Sequence, residues 1–257
     1  MTTTNLANSR DMISAVIICR NEEDNIGTCI SAVLPWVDEV VVVDSGSTDA
    51  TLDVIQSFGI RPVHHEFEGF GRQKQFACSL ATHPWILSLD ADEVVSPELG
   101  QHIRTTLMGS TNTAFRLTRR FRFLGRTFMH GHGAVDYPIR LFKKDLCSFD
   151  DSLVHESVQV TGSIGRIEGE LLHTSYTSLD QYLTKFNSYT SLGAQKLVTQ
   201  GTYRGPIGAA LLLPLYFLKH YVVWGNVLNG RQGLIWSILS TLYPFVKVCK
   251  AWAARKT

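Results

Sequence analysis

Three short aliphatic runs constrain this chain more than any other feature. Ile13-Ser14-Ala15-Val16-Ile17-Ile18-Cys19 is followed by Val40-Val41-Val42-Val43, which runs into Asp44, and by Trp85-Ile86-Leu87-Ser88-Leu89, which runs into Asp90. Runs of this length, rich in β-branched residues and without polar alternation, are strands buried on both faces. Between them lie segments with helical spacing: Asp24 to Leu34, Asp49 to Phe58 and Gly71 to Ala81, with Arg61 to His64 as a further short strand. Strands alternating with helices specify an α/β protein with a mostly parallel sheet covered by helices. In such sheets ligands bind beyond the carboxyl ends of the strands, where Asp44 and Asp90 fall. Thr48 or Ser47 is placed to cap the helix that begins near Asp49.

Composition narrows the class. Hydrophobic residues make up 44% of the 257, enough for a real core, which excludes general disorder. The net charge of +1 gives no overall attraction to nucleic acid. The charge is unevenly placed, however. Residues 1–180 sum to −8, whereas residues 181–257 hold nine Lys and Arg and no acid. The same tail carries two apolar stretches, Ile207 to Leu218 and Gly233 to Cys249, with Tyr216, Phe217, Trp224, Trp236 and Trp252 in or beside them. No run of about 18 uninterrupted apolar residues is present, so a plain spanning helix is not expected. The tail reads as helices that either rest on an anionic membrane surface or pack under the rest of the protein. A basic region this apolar is not a nucleic-acid surface. The five cysteines form no CxxC pair and read as free thiols of a cytosolic protein. The polar N-terminus, residues 1–11, is read as disordered and lacks the apolar core of a secretory signal.

Chemistry concentrates in two places. Asp90-Ala91-Asp92-Glu93 puts carboxylates on a turn after a buried strand, a suitable site for a hard cation shared with substrate phosphates. Asp44-Ser45-Gly46-Ser47-Thr48-Asp49 supplies an acceptor at a strand end and a glycine for a tight turn. The P-loop pattern is absent, and Gly46 occupies the position where a haloacid-dehalogenase phosphatase has its second Asp.

Taken in order, Ile17-Ile18-Cys19-Arg20-Asn21-Glu22-Glu23, Val43-Asp44-Ser45-Gly46-Ser47-Thr48-Asp49 and Leu89-Asp90-Ala91-Asp92-Glu93 resemble the signatures of inverting family 2 glycosyltransferases. Arg140-Leu141-Phe142, Leu153-Val154-His155-Glu156 and Leu172-His173-Thr174-Ser175-Tyr176, with the basic apolar tail, resemble the lipopolysaccharide core β-1,4-glucosyltransferase subgroup. The resemblance implies a GT-A, Rossmann-like nucleotide-sugar-binding domain over residues 12–177, with a helical membrane-associating region over 178–257. It implies a hexosyltransferase that moves glucose from UDP-glucose onto an inner-core heptose of a lipid-linked glycan, at the cytoplasmic membrane surface, with Mg²⁺ or Mn²⁺ as cofactor. By the same resemblance Asp44 bonds the uracil. Arg20, Asn21, Glu22, Glu23, Ser45, Gly46 and Lys74 hold the nucleoside, and Asp90 and Ala91 lie near the ribose and metal. Asp92 ligates the cation with His173, Arg140 faces the diphosphate or the acceptor, and Glu156 is the catalytic base, with Asp136 and Asp151 in reserve. Arg119, Arg120, Arg122 and Arg126 read either as contacts for acidic or phosphorylated core sugars or as a solvated face. Two other readings remain open: a family 2 transferase with a different donor and a polyprenyl-phosphate or capsule acceptor, and a non-catalytic nucleotide-sugar-binding membrane protein.

Overall fold

A computed structural model describes residues 11–150, 157–201 and 205–255. The chain divides into two units. The first takes residues up to Arg119 together with Asp136–His173; the second takes Arg120–Val135 and the residues from Thr174 onward. The 120–135 segment thus belongs to the second unit.

In the first unit, strand β1 (Ile13–Cys19) is buried along its whole length, as its unbroken aliphatic run requires. It lies between β2 (Glu39–Asp44) and β4 (Trp85–Asp90), parallel to both. The register pairs Cys19 with Asp44 and Ile18 with Asp90. Three strands therefore end at one level, and both aspartates arrive there by backbone pairing alone. Strand β3 (Val63–His64) extends the parallel part, with Asp44 opposite His64. The connections are helices α1 (Ile26–Val33), α2 (Thr51–Ser57) and α3 (Phe70–Leu80).

Beyond β4 the sheet becomes mixed. β5 (Glu93–Val95) and helix α4 (Pro97–Leu107) follow the acidic turn, and Ser96 caps α4 by accepting from Leu99 N at 3.1 Å. The β-rich middle of the chain supplies β6 (Ala114–Phe123), β7 (Arg126–Thr127), β8 (Val135–Asp136), β9 (Ile139–Lys143), β10 (Cys147–Phe149), β11 (Val158–Val160) and β12 (Ile164–Tyr176). The main sheet runs β3-β2-β1-β4-β9-β6-β12-β5. β9 runs antiparallel to β4, and β5 antiparallel to β12. Two apolar layers cover this sheet. One gathers Ile13, Ile17, Ile30, Leu87, Leu99 and Phe115, and the other Val16, Val43, Ala77, Ile86 and Phe142. All five cysteines are free thiols.

The second unit is built on α5 (Leu179–Gln200) and α8 (Gly230–Ala254). Ser178 accepts from Gln181 N at 3.1 Å while Gln181 Oε1 accepts from Thr177 N at 2.9 Å, which fixes the start of α5. Its end is closed by Gly201 in the left-handed region. An aromatic core of Phe123, Phe128, Tyr176, Tyr182 and Trp236 packs edge-to-face and tilted, with ring centroids 4.8–6.3 Å apart. Lys250 bridges the two helices, donating to Asn187 O and Oδ1, both at 2.7 Å, and to Thr190 Oγ1 at 2.8 Å. Between them lie α6 (Pro206–Ala210), α7 (Leu213–Leu218), a π turn over Lys219–Val223 and a 3-10 turn over Asn226–Asn229.

One expectation needs correction. Neither Ser47 nor Thr48 caps α2, which starts two residues later than Asp49 with Ala50 at the cap position. Ser47 is held instead by Asp44 and Asn21, and Asp49 Oδ1 takes the Thr51 N–H at 3.0 Å. In the tail, Pro206–Val223 and Asn226–Ala254 are long and apolar enough to cross a membrane, by length and composition only, with mean hydropathies of 1.4 and 1.2. Helix α8 runs through Pro244 and Lys247, which interrupt its apolar stretch in sequence.

Candidate active site

The loops that follow β1 and β2 are fastened to each other. Asn21, at φ 54°, turns the chain through the left-handed region that asparagine tolerates. Its N–H donates to Ser47 Oγ at 2.8 Å, and its Oδ1 accepts from Thr48 N at 2.8 Å. Glu22 N donates to Thr51 Oγ1 at 2.8 Å, and Glu23 Oε2 accepts from Ala50 N at 2.8 Å. Arg20 stands exposed at the head of this loop.

Asp44 is almost wholly buried. Its Oδ2 accepts from Gly46 N at 2.8 Å and Ser47 N at 3.0 Å, while Oδ1 accepts from the Ser47 hydroxyl. Gly46 sits at φ 84°, where a side chain is strained, so the turn needs glycine. Ser45 Oγ accepts from Gln73 Nε2 at 2.9 Å, and Gln73 Oε1 meets His65 Nδ1 at 2.9 Å. Gln73 is fully buried, yet nothing in its sequence neighbourhood marks it.

The acidic turn after β4 is the electrostatic centre. Lys74, on α3, places Nζ 2.8 Å from Asp90 Oδ1. Arg140, on β9, places Nη2 2.6 Å from both Asp90 Oδ2 and Glu93 Oε1. Glu93 is fully buried, takes a second guanidinium from Arg119 at 2.9 Å, and accepts from Asp90 N at 3.1 Å. Burial opposes ionisation of Asp90, but the charges of Arg140 and Lys74 outweigh it and hold this carboxyl well below the usual range. Ala91 is buried beneath the turn.

Asp92 is paired with a histidine. β12 brings His173 opposite Glu93 in register, and His173 Nε2 lies 3.3 Å from Asp92 Oδ2. Burial disfavours the imidazolium, yet the hydrogen bond and charge of Asp92 prevail and raise the His173 pKa. A carboxylate and an imidazole side by side are an oxygen and a nitrogen donor suited to a cation that takes its other ligands from phosphate and water. Among the described residues no group of three or more His, Cys, Asp or Glu is placed to hold a metal by itself.

Every described residue expected to hold the nucleotide sugar or the cation thus lies in the first unit, and Asp90, Lys74, Arg140, Asp92 and His173 are brought together around one turn. Glu156 and Asp151 lie outside the described residues. Asp136 is gripped by Arg119 through Nε at 2.9 Å and Nη2 at 2.6 Å. Arg119 is thereby committed to Glu93 and Asp136, a role the sequence did not suggest. Arg122 donates to Gly125 O at 3.3 Å within the second unit.

The family model described as Glycosyl transferase family 2 matches residues 14–157, more than half the chain. The chain belongs to this family. It is also similar to the lipopolysaccharide core biosynthesis glycosyltransferase LpsC of Rhizobium meliloti, at 32% identity over 93% of this chain and 92% of that protein. An uncharacterized glycosyltransferase of Rickettsia typhi is 30% identical over 93% of this chain and 86% of its own length. Among solved structures, glucosyl-3-phosphoglycerate synthase from Mycobacterium tuberculosis, crystallised with Mn²⁺ and uridine-diphosphate-glucose, matches 43% of this chain and 44% of its own, at 24% identity and a TM-score of 0.38. The protein is a family 2 hexosyltransferase with the α/β fold expected of one, followed by apolar helices.

Proposed function

We propose that this glycosyltransferase moves glucose from UDP-glucose onto a heptose of a lipid-linked lipopolysaccharide core, at the cytoplasmic face of the membrane. The observation that carries the acceptor class is the extent of the similarity to LpsC. It covers 93% of the chain, well past the family match that stops at residue 157, and so includes helices outside the nucleotide-sugar domain.

In this reading the nucleoside lies across the fastened loops of Arg20 to Glu23 and Asp44 to Gly46. Asp44 accepts a uracil N–H when the Ser47 hydroxyl turns away from Oδ1. Lys74 and Arg140 hold Asp90 ionised and rigid beside the ribose, so the turn is set before the donor arrives. Asp92 and His173 would hold Mg²⁺ or Mn²⁺, which when bound supplies positive charge to the leaving diphosphate. Glu156 is assigned as the general base that takes the proton of the acceptor hydroxyl, a contribution of typically 10²–10⁴-fold. Attack opposite the departing UDP forms the new glycosidic bond in one displacement and inverts the anomeric carbon.

The test is a donor screen with truncated, heptose-containing lipopolysaccharide and Mn²⁺, reading free nucleoside diphosphate. UDP release from UDP-glucose that rises with acceptor is the expected result. Release from a different nucleotide sugar removes the glucose assignment and keeps the family, while indifference to the acceptor removes the lipopolysaccharide assignment.

A further inference from the structure

The second unit carries an apolar stripe that its own helices leave uncovered. Ile207, Leu211, Leu215, Leu218 and Val222 are 79, 74, 64, 52 and 53% exposed. They recur every three or four residues, about one helical turn apart. The opposite side is apolar as well, because Leu213, Pro214 and Phe217 line a hollow of about 300 Å³ with Ile238 and Leu242 of α8. A segment that is apolar all round and packed on one side only is not finished by the protein.

The surroundings of the stripe indicate what covers it. Residues 181–257 contain nine Lys and Arg and no Asp or Glu, so the unit that bears the stripe attracts anions. Lys219 lies 4.8 Å from the ring centre of Trp224, beside the last residues of the stripe. A cation and an indole at the edge of an apolar face are the groups favoured at the boundary between acyl chains and headgroups. The segment is also broken. α6 has five residues and α7 six, each with a proline in its first turn, and Lys219–Val223 is a π turn. Straight, its 18 residues would reach about 27 Å, at the short limit for a hydrocarbon core of about 30 Å, and with a lysine inside. Gly225, at φ 74°, then turns the chain toward α8.

We infer that Pro206–Val223 is an in-plane anchor whose stripe of Ile207, Leu211, Leu215, Leu218 and Val222 enters one leaflet of an anionic bilayer without crossing it. This deepens the membrane-surface reading above and rests on it.

Flotation of the full chain with phosphatidylglycerol-containing and pure phosphatidylcholine vesicles tests the anchor. Wild type should float with the anionic vesicles, less so at high salt. The double variant Leu211→Ser/Leu215→Ser should bind more weakly by about tenfold per leucine, because it loses apolar burial in the lipid. Its far-UV circular dichroism and melting should be unchanged, since both side chains are exposed. Depth is read from Leu215→Cys carrying an environment-sensitive fluorophore, with Cys147 and Cys249 replaced by serine. Quenching should be stronger from a nitroxide at acyl carbon 5 than at carbon 12. Vesicle binding by the double variant equal to wild type overturns the stripe and leaves the membrane reading standing. Stronger quenching from carbon 12 overturns the in-plane placement. A lipid-free dimer that shields position 215 assigns the stripe to a second copy, and failure of wild type to bind either vesicle overturns both readings.

Discussion

Removing Arg140 should cost the first unit more stability than removing any exposed charge. Its Nη2 lies 2.6 Å from Asp90 Oδ2 and 2.6 Å from Glu93 Oε1, with the Arg140 side chain 7% exposed and the Glu93 side chain wholly buried. In Arg140→Met the acids keep partners: Asp90 retains Lys74 at 2.8 Å, and Glu93 retains Arg119 at 2.9 Å. Breaking a buried ion pair from one side costs about 3–5 kcal/mol, and the surviving partners favour the lower end, about 3 kcal/mol. For a protein of this size that corresponds to a fall in Tm of about 6–12 °C. Thermal melts followed by circular dichroism at neutral pH measure it. Adding Glu93→Gln to Arg140→Met should recover part of the loss, because the buried charge left with one partner is then gone. A single variant melting within about 1 °C of wild type would refute the reasoning, as would a double variant whose loss is the plain sum of the two singles.

The same ion pairs make stability fall in acid. Asp90 is held below its unfolded value of 3.8 by Arg140 and Lys74, so its contribution is complete above that pH and is lost as pH drops through the lowered folded value. Urea midpoints should decline below about pH 4, with a shallower decline in Asp90→Asn; equal slopes would contradict the pairing. Asp92→Asn should weaken Mn²⁺ binding in the presence of UDP by about tenfold or more, read by electron paramagnetic resonance, and unchanged affinity would remove Asp92 from the cation site. Gly46→Ala forces a side chain into φ 84° and should cost about 1–2 kcal/mol, measured by chemical denaturation. Gly233→Ala would drive its new methyl into the Asn226 carbonyl, so it should lower the melting temperature of the second unit; an unchanged melt would mean that this turn relaxes freely.

Much of the first unit is written in local sequence. Unbroken aliphatic runs can satisfy themselves only as buried strands, and the register of β1 with β2 and β4 then carries Asp44 and Asp90 to one edge. The helices between them and the start of α5 at Ser178 follow from spacing and capping chemistry, which act over a few residues. The partners of those acids were not legible in the same way. Lys74 meets Asp90 because α3 packs on the sheet, Arg140 because β9 returns antiparallel beside β4, and His173 because β12 pairs with β5. Gln73 gave no signal at all, and nothing marked Arg119 as the partner of Glu93, since a long polar side chain has the same sequence context whether it reaches solvent or a buried acid. Ser47 misled, because a hydroxyl two residues before a helix caps it only when the backbone turns that way, and here the Asp44 loop claims it. Sequence alone determined which segments must be strands and where the carboxylates sit along them, because burial and backbone pairing are set by local pattern. Only the tertiary structure decided which cations neutralise those carboxylates, and which face of Pro206–Val223 stays bare, because both depend on packing between separate elements that periodicity cannot see.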